Sequence, residues 1–169
     1  LAQYLGRAPQ DLDIAVDPHG KPFVRDSDTT GRPLAFNLSH AGGLLLFGAS
    51  RAPIGVDIEL VRPIPRLDAF VRTVLGARER AVHAELPADR RVDHAYRVWV
   101  GKEALVKRSG EGIKRDFASF DLMEGDATIF VPRDGFVAAV AGHGTATLRF
   151  RRVADVGLLL SPRHTASRR

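Results

Sequence analysis

Hydrophobic and polar positions change period several times along the chain, and each change predicts a different element. From residue 34 the period is two: Phe36, Leu38 and His40 alternate with Asn37 and Ser39, the pattern of a strand with unlike faces. Ala41-Gly42-Gly43 supplies a turn, and residues 44–49 are continuously apolar, as in a strand covered on both faces. After Ser50-Arg51-Ala52-Pro53, strict alternation returns over residues 54–60. Three such runs joined by short turns predict a three-stranded antiparallel meander.

A helical period follows the break at Arg62-Pro63-Ile64-Pro65. Leu67, Phe70, Val71, Val74 and Leu75 form an i, i+3, i+4, i+7, i+8 stripe. Gly76 separates it from a second helical stretch, residues 77–86. Pro87-Ala88-Asp89 breaks the chain again and offers Asp89 as an N-cap. A long helix then runs to Ser109 and stops at Gly110-Glu111-Gly112. Beyond it, residues 117–122, 128–131, 135–141 and 145–153 alternate or run apolar and predict four more strands. Ahead of the meander, residues 1–6 read as a helix end with Gly6 as its stop, residues 12–16 as a short strand, and residues 17–22 as a turn-rich loop. His143, between two glycines, reads as a turn residue.

Composition narrows the function classes. At 169 residues the chain suits one domain or two small halves. No apolar run approaches the roughly 20 residues of a spanning helix, and the start carries no basic and apolar leader pattern. The chain does not begin with Met, which points to a processed, trimmed or partial protein. The absence of cysteine excludes disulfides and thiolate metal sites and fits a reducing cytoplasm. The net charge of +5 invites a nucleic-acid reading, but its distribution opposes one. Residues 149–169 hold six arginines and one acid, while the first 148 residues hold 19 basic and 19 acidic side chains. That places the excess in a basic tail, expected to be disordered, rather than in a stripe interleaved with aromatics. A DNA-binding module and a membrane protein are therefore set aside, and a monomer is expected. There is no Gly-rich Walker loop, no His-Glu-x-x-His helix and no serine-nucleophile elbow.

Candidate chemistry sits on three elements. In the long helix Trp99, Glu103 and Lys107 lie four apart and share one face. Taken alone, Glu103 and Lys107 are an ordinary surface ion pair worth roughly 0.2–0.5 kcal/mol. On the third strand of the meander Ile54, Val56, Ile58 and Leu60 point one way, and Gly55, Asp57 and Glu59 the other. Two carboxylates so placed either form a solvated acidic face or converge on a hard divalent cation, and the space left by Gly55 slightly favours binding. Lys21, between Gly20 and Pro22, is either a solvated turn lysine or a cation held on a restricted backbone.

Taken in order, Gly20-Lys21-Pro22, Phe36-Asn37-Leu38-Ser39-His40, Gly55-Val56-Asp57-Ile58-Glu59 and residues 99–110 resemble a 4′-phosphopantetheinyl transferase of the surfactin-synthetase-activating type. The resemblance covers roughly residues 18–140. It implies an α+β fold of two pseudo-twofold-related halves, each a small antiparallel sheet packed with a long helix, here with the N-terminal half shortened. The matching division is residues 1–62, with the Ser-His and Asp-x-Glu elements; residues 63–154, with the Trp-x-x-Lys-Glu helix; and the tail, residues 155–169. It further implies Mg²⁺-dependent transfer of phosphopantetheine from coenzyme A to a serine of an acyl or peptidyl carrier protein, releasing 3′,5′-ADP. Asp57, Glu59 and Glu103 correspond to the metal carboxylates, and Glu103 also to the candidate base. Lys107 matches the lysine of the phosphate region, and Lys21, Ser39 and His40 match residues gripping the nucleotide end. The alternative is an impaired relative that binds carrier protein or nucleotide without turnover.

Overall fold

The computed structural model describes residues 1–25, 31, 33–110, 116–142, 144 and 147–151. They form an α+β fold of helix α1 (Ala2–Leu5), strands β1 (Ile14–Val16), β2 (Pro22–Val24), β3 (Ala35–Ala41), β4 (Leu44–Ser50) and β5 (Gly55–Leu60), helices α2 (Leu67–Val74), α3 (Ala77–Glu85) and α4 (Ala88–Ser109), then β6 (Ala127–Phe130) and β7 (Phe136–Ala141). Short 3₁₀ turns lie at Phe117–Ser119 and Leu122–Glu124. α2 follows the apolar stripe that begins at Leu67, and Gly110 closes α4 with φ +79°, a left-handed C-cap. The N-cap of α4 is Pro87 rather than Asp89. Among the described residues no helix is long and apolar enough to cross a membrane.

The meander is not formed. Among the described residues β3 pairs only with β4, while β5 pairs antiparallel with β7 in a separate sheet of order β5-β7-β6. Gly55 lies opposite Ala141, Asp57 opposite Ala139 and Glu59 opposite Val137. Alternation in β5 reports that both its faces are lined differently, but it cannot say which edge is paired. β7 is buried at every residue and supplies that partner. The free edge of β5 meets β3 through a side chain instead: Asn37 Oδ1 accepts from the Val56 N–H at 2.9 Å. A division after residue 62 thus leaves β5 hydrogen-bonded to β7, across the proposed boundary.

The faces of β3 are also the reverse of the simplest reading. Asn37 and Ser39 are buried, whereas Leu38 is 46 % exposed and His40 lies outside. Buried polar side chains need partners, and β5 provides them. The segment 117–122 forms 3₁₀ turns, not a strand; Asp116 caps the first by accepting from the Ala118 N–H. Residues 17–21 are the turn of the β1–β2 hairpin, where Asp17 Oδ1 accepts from the N–H groups of His19 and Lys21. Of the strand expected over 145–153, residues 147–151 are irregular. The remainder of that segment, with Glu111, Gly112, His143 and the tail, lies outside the described residues.

The core has three layers. On one face of the β5–β7–β6 sheet, Val137, Ala139 and Ala141 pack against Val100 and Ala104 of α4. On the other, Ile54, Val56 and Val140, and beside them Ile58, Phe136 and Ala138, pack against Leu46 of the β3–β4 hairpin. The register puts Gly55, Asp57 and Glu59 on the α4 side, opposite Ala141, Ala139 and Val137.

α3 meets α4 at His83 and His94, whose Nδ1 atoms are 3.2 Å apart. Burial lowers the pKa of both imidazoles below the ordinary 6.5; for His83 the charges of His94 and Arg91 add to this and Asp68 opposes, and for His94 Glu79 and Asp93 oppose. Both rings therefore bind protons more weakly folded than unfolded. Their stabilisation is complete above about pH 6.5 and is lost as pH falls. Thermal unfolding followed from about pH 7.5 to about pH 5 should show Tm dropping on acidification, and dropping less in His94→Gln; parallel profiles for the two proteins would refute this coupling.

Candidate functional site

The site is the seam between β5 and α4. A methyl group added at Gly55 would collide with the Ala104 carbonyl and the Arg108 N–H, so only glycine lets the strand backbone reach the helix backbone. That approach brings the next two inward residues of β5, Asp57 and Glu59, to the α4 face bearing Glu103 and Lys107. Lys107 Nζ pairs with Asp57 Oδ1 at 2.6 Å. Ser39, delivered by β3, donates from Oγ to the same Asp57 oxygen at 2.8 Å and accepts from Lys107 Nζ at 3.1 Å. Four of the seven expected site residues, Ser39, Asp57, Lys107 and Glu59, are thereby tied by contact or charge to this seam, and Glu103 joins them electrostatically.

Charge in the seam is unbalanced. Burial raises the pKa of the half-buried Glu59, the Asp57 charge raises it further, and a hydrogen bond from Trp99 and the charge of Lys107 oppose. Burial likewise raises Glu103, followed by the charge of Asp57; Lys107 opposes and Glu59 adds to the rise. Among the described residues three carboxylates thus share one ammonium. Among the described residues Asp57 Oδ2 is buried with no hydrogen-bond partner, a condition that costs about 1–3 kcal/mol or more for a charged group.

These features fit a hard divalent cation, which takes carboxylate oxygens and would relieve both the orphaned oxygen and the mutual repulsion. Asp57, Glu59 and Glu103 are the residues available to hold it. Among the described residues no three acidic, histidine or cysteine side chains are already gathered around one point; Asp57 spends its other oxygen on Lys107 and Ser39.

Two expected residues sit elsewhere. Lys21 does not face the seam with a free ammonium: its Nζ donates to the carbonyls of Lys107 and Arg108 at 2.7 and 2.8 Å, at the C-terminus of α4. Burial lowers its pKa, with Asp17 opposing. His40 is exposed on the face of β3 turned away from Ser39. The residue that sequence reasoning missed is Lys102, fully buried and paired with Glu79 at 2.6 Å. Its signal was legible: Lys102 interrupts the otherwise apolar stripe Ala95, Val98, Val106, all buried, and a charge at such a position needs a partner inside.

Comparison with known proteins identifies the family of the chain. The sequence profile of the 4′-phosphopantetheinyl transferase superfamily matches residues 53–145, which include β5, α4 and β7. The chain is 33 % identical over 126 residues to the 4′-phosphopantetheinyl transferase psf-1 of Bacillus pumilus, covering 73 % of this chain and 52 % of that protein. It is 32 % identical over 116 residues to the 4′-phosphopantetheinyl transferase HetI of Nostoc sp., covering 68 % and 48 %. It is 26 % identical over 125 residues to the 4′-phosphopantetheinyl transferase Sfp of Bacillus subtilis, covering 72 % and 53 %. The chain spans about half the length of these curated relatives.

The backbone contact at Gly55 yields a direct expectation. Gly55→Ala forces β5 away from α4 and should destabilise the fold by about 1–3 kcal/mol or more, read as a lowered urea midpoint. An unchanged midpoint would show that the seam is looser than described.

Proposed function

This chain belongs to the 4′-phosphopantetheinyl transferase superfamily, and we propose that it transfers the 4′-phosphopantetheine group from coenzyme A to a serine hydroxyl of an apo acyl or peptidyl carrier protein, releasing 3′,5′-ADP. The observation that carries the reading is the orphaned, buried Asp57 Oδ2 in a seam with two further carboxylates and Lys107. The serine oxygen forms a bond to the β-phosphorus of coenzyme A as the pyrophosphate P–O bond breaks. The electron pair of that bond leaves with 3′,5′-ADP, and the serine proton passes to a base.

Glu103 is the proposed base. Burial and the charges of Asp57 and Glu59 raise its pKa, which makes it a better proton acceptor than a surface glutamate once ionised. Lys107 is proposed to turn part of its ammonium from Asp57 toward the phosphate oxygens, where a cation offsets the charge that moves onto the leaving group. Ser39 holds Asp57 Oδ1 in place while Lys107 does so. Asp57, Glu59 and Glu103 are the proposed ligands of Mg²⁺, which when bound would neutralise pyrophosphate charge. Lys21, Ser39 and His40 remain the proposed contacts of the nucleotide end. The carrier protein, a monomeric state and a reducing, cytoplasmic setting complete the proposal; neither nucleic acid nor membrane is part of it.

The test is incubation with an apo carrier protein, coenzyme A and Mg²⁺, with mass spectrometry of the carrier. One phosphopantetheine is expected per carrier, and none with Glu103→Gln or Asp57→Ala. Binding of coenzyme A without any mass gain would instead establish the impaired relative. Full activity of both variants would overturn the site.

Metal affinity should also depend on pH in a stated direction. Glu59 and Glu103 have pKa values raised above 4.5, so protons compete with the cation at higher pH than at a surface carboxylate. Mn²⁺ binding measured by electron paramagnetic resonance should weaken as pH falls toward and through those raised values. An affinity flat down to the ordinary glutamate range would contradict the electrostatics of the seam.

A further inference from the structure

Lys102 has no place in the proposed chemistry, yet it is the largest fully buried side chain of the described residues. Its ammonium donates to the carbonyls of Val74, Phe117 and Phe120 at 2.9, 2.8 and 2.6 Å. The Glu79 carboxylate lies 2.6 Å away. With three donors on three carbonyls and a counter-ion beside them, the ammonium has nothing left to offer a ligand. Glu79 is equally committed: Oε2 accepts from the Gly76 N–H, the N-cap of α3, and Oε1 from the Leu122 N–H. Asp121 Oδ1 accepts from the Glu79 N–H at 3.2 Å. One buried ion pair therefore joins the end of α2, the start of α3, the middle of α4 and the 117–122 segment.

Stability alone gives little reason for such a pair, because well-packed apolar residues of similar volume often do as well or better. A buried, fully bonded pair does fix direction. Lys102 precedes Glu103 by one residue and Ala104 by two, so at about 100° per residue it points almost opposite to Ala104. The Ala104 carbonyl is where β5 meets α4. The helix is gripped from two nearly opposite sides at one turn, and that turn carries Glu103. Next to the grip, Leu122 seats on Gly101, where a Cβ would lie 2.6 Å from a Leu122 methyl, and Phe117 packs on Trp99 with ring centroids 5.1 Å apart.

We propose that Lys102 is a positioning residue: with Glu79 it sets the rotation of α4 about its own axis and so holds Glu103 and Lys107 opposite Asp57 and Glu59. This rests on the transferase reading above. Reacting groups displaced by about 1 Å can lose about a hundred-fold in rate, so a small turn of α4 suffices to matter without unfolding it.

The experiment uses the full chain. Removing Lys102 alone would strand Glu79, so the principal variant is the double change Lys102→Met with Glu79→Gln; Glu79→Asp, which keeps the charges but draws the carboxylate back by one methylene, is the milder second. For each, circular dichroism and thermal unfolding establish the folded fraction, Mn²⁺ affinity is measured by electron paramagnetic resonance, and kcat and KM for coenzyme A are measured well below Tm. The emission of Trp99, the chain's single tryptophan, reports the turn of the helix. The expected result in the folded double variant is Mn²⁺ affinity and kcat each lowered at least about ten-fold, KM for coenzyme A changed little, and a shifted Trp99 emission. Glu79→Asp should move in the same direction by a smaller factor, and it decides the matter if the double variant does not fold. A lowered Tm with wild-type Mn²⁺ affinity and kcat in either folded variant would show a structural role only and overturn the inference, leaving the transferase reading intact. A wild-type chain that neither binds Mn²⁺ nor transfers would overturn both.

Discussion

Everything at the seam depends on one close approach, the strand backbone at Gly55 against the helix backbone at Ala104. Side chains normally keep a helix backbone off a sheet, and carboxylates on the strand would then be separated from those on the helix by a layer of packing. Here β7 presents alanines beside Asp57 and at the neighbouring inward position, and Gly55 removes the last obstruction. The polar groups fill the space that larger apolar residues would have taken. Their repulsion is contained by Lys107 and Ser39 at Asp57 and by a hydrogen bond from the indole of Trp99 at Glu59.

The parts of this arrangement that were legible in the sequence are those set by short-range periodicity. The stripe beginning at Leu67, the stop at Gly110, and the shared face of Asp57 with Glu59 all follow from local geometry. Ordered motifs pointed to the family more sharply than any single spacing. The parts that were not legible depend on distant partners. Nothing within residues 54–60 says that β5 joins β7 rather than β4. The inward turn of Asn37 and Ser39 makes sense only once β5 offers the Val56 N–H and Asp57. The bend of residues 117–122 into 3₁₀ turns reflects carbonyls drawn toward a lysine on another element.

The two lysines of α4 illustrate how burial divides the same chemistry into different uses. Lys102 has no exposure and is saturated by carbonyls and Glu79, so it is a fixed part of the frame. Lys107 keeps 30 % of its side chain exposed and bonds a carboxylate and a hydroxyl, both of which remain acceptable partners when its ammonium shifts. Five residues apart on one helix, one cation is locked and the other is available.

The β1–β2 hairpin has a consequence of its own. An α-helix ends with unpaired carbonyls and the equivalent of about half a negative charge, and the last turn of α4 is the turn that holds Lys107. Left bare, that terminus would repel any anion approaching Lys107. The ammonium of Lys21 lies on the Lys107 and Arg108 carbonyls, so the hairpin delivers a positive charge to the negative pole of the helix. A residue expected to grip an anion directly also neutralises the field that would drive the anion away.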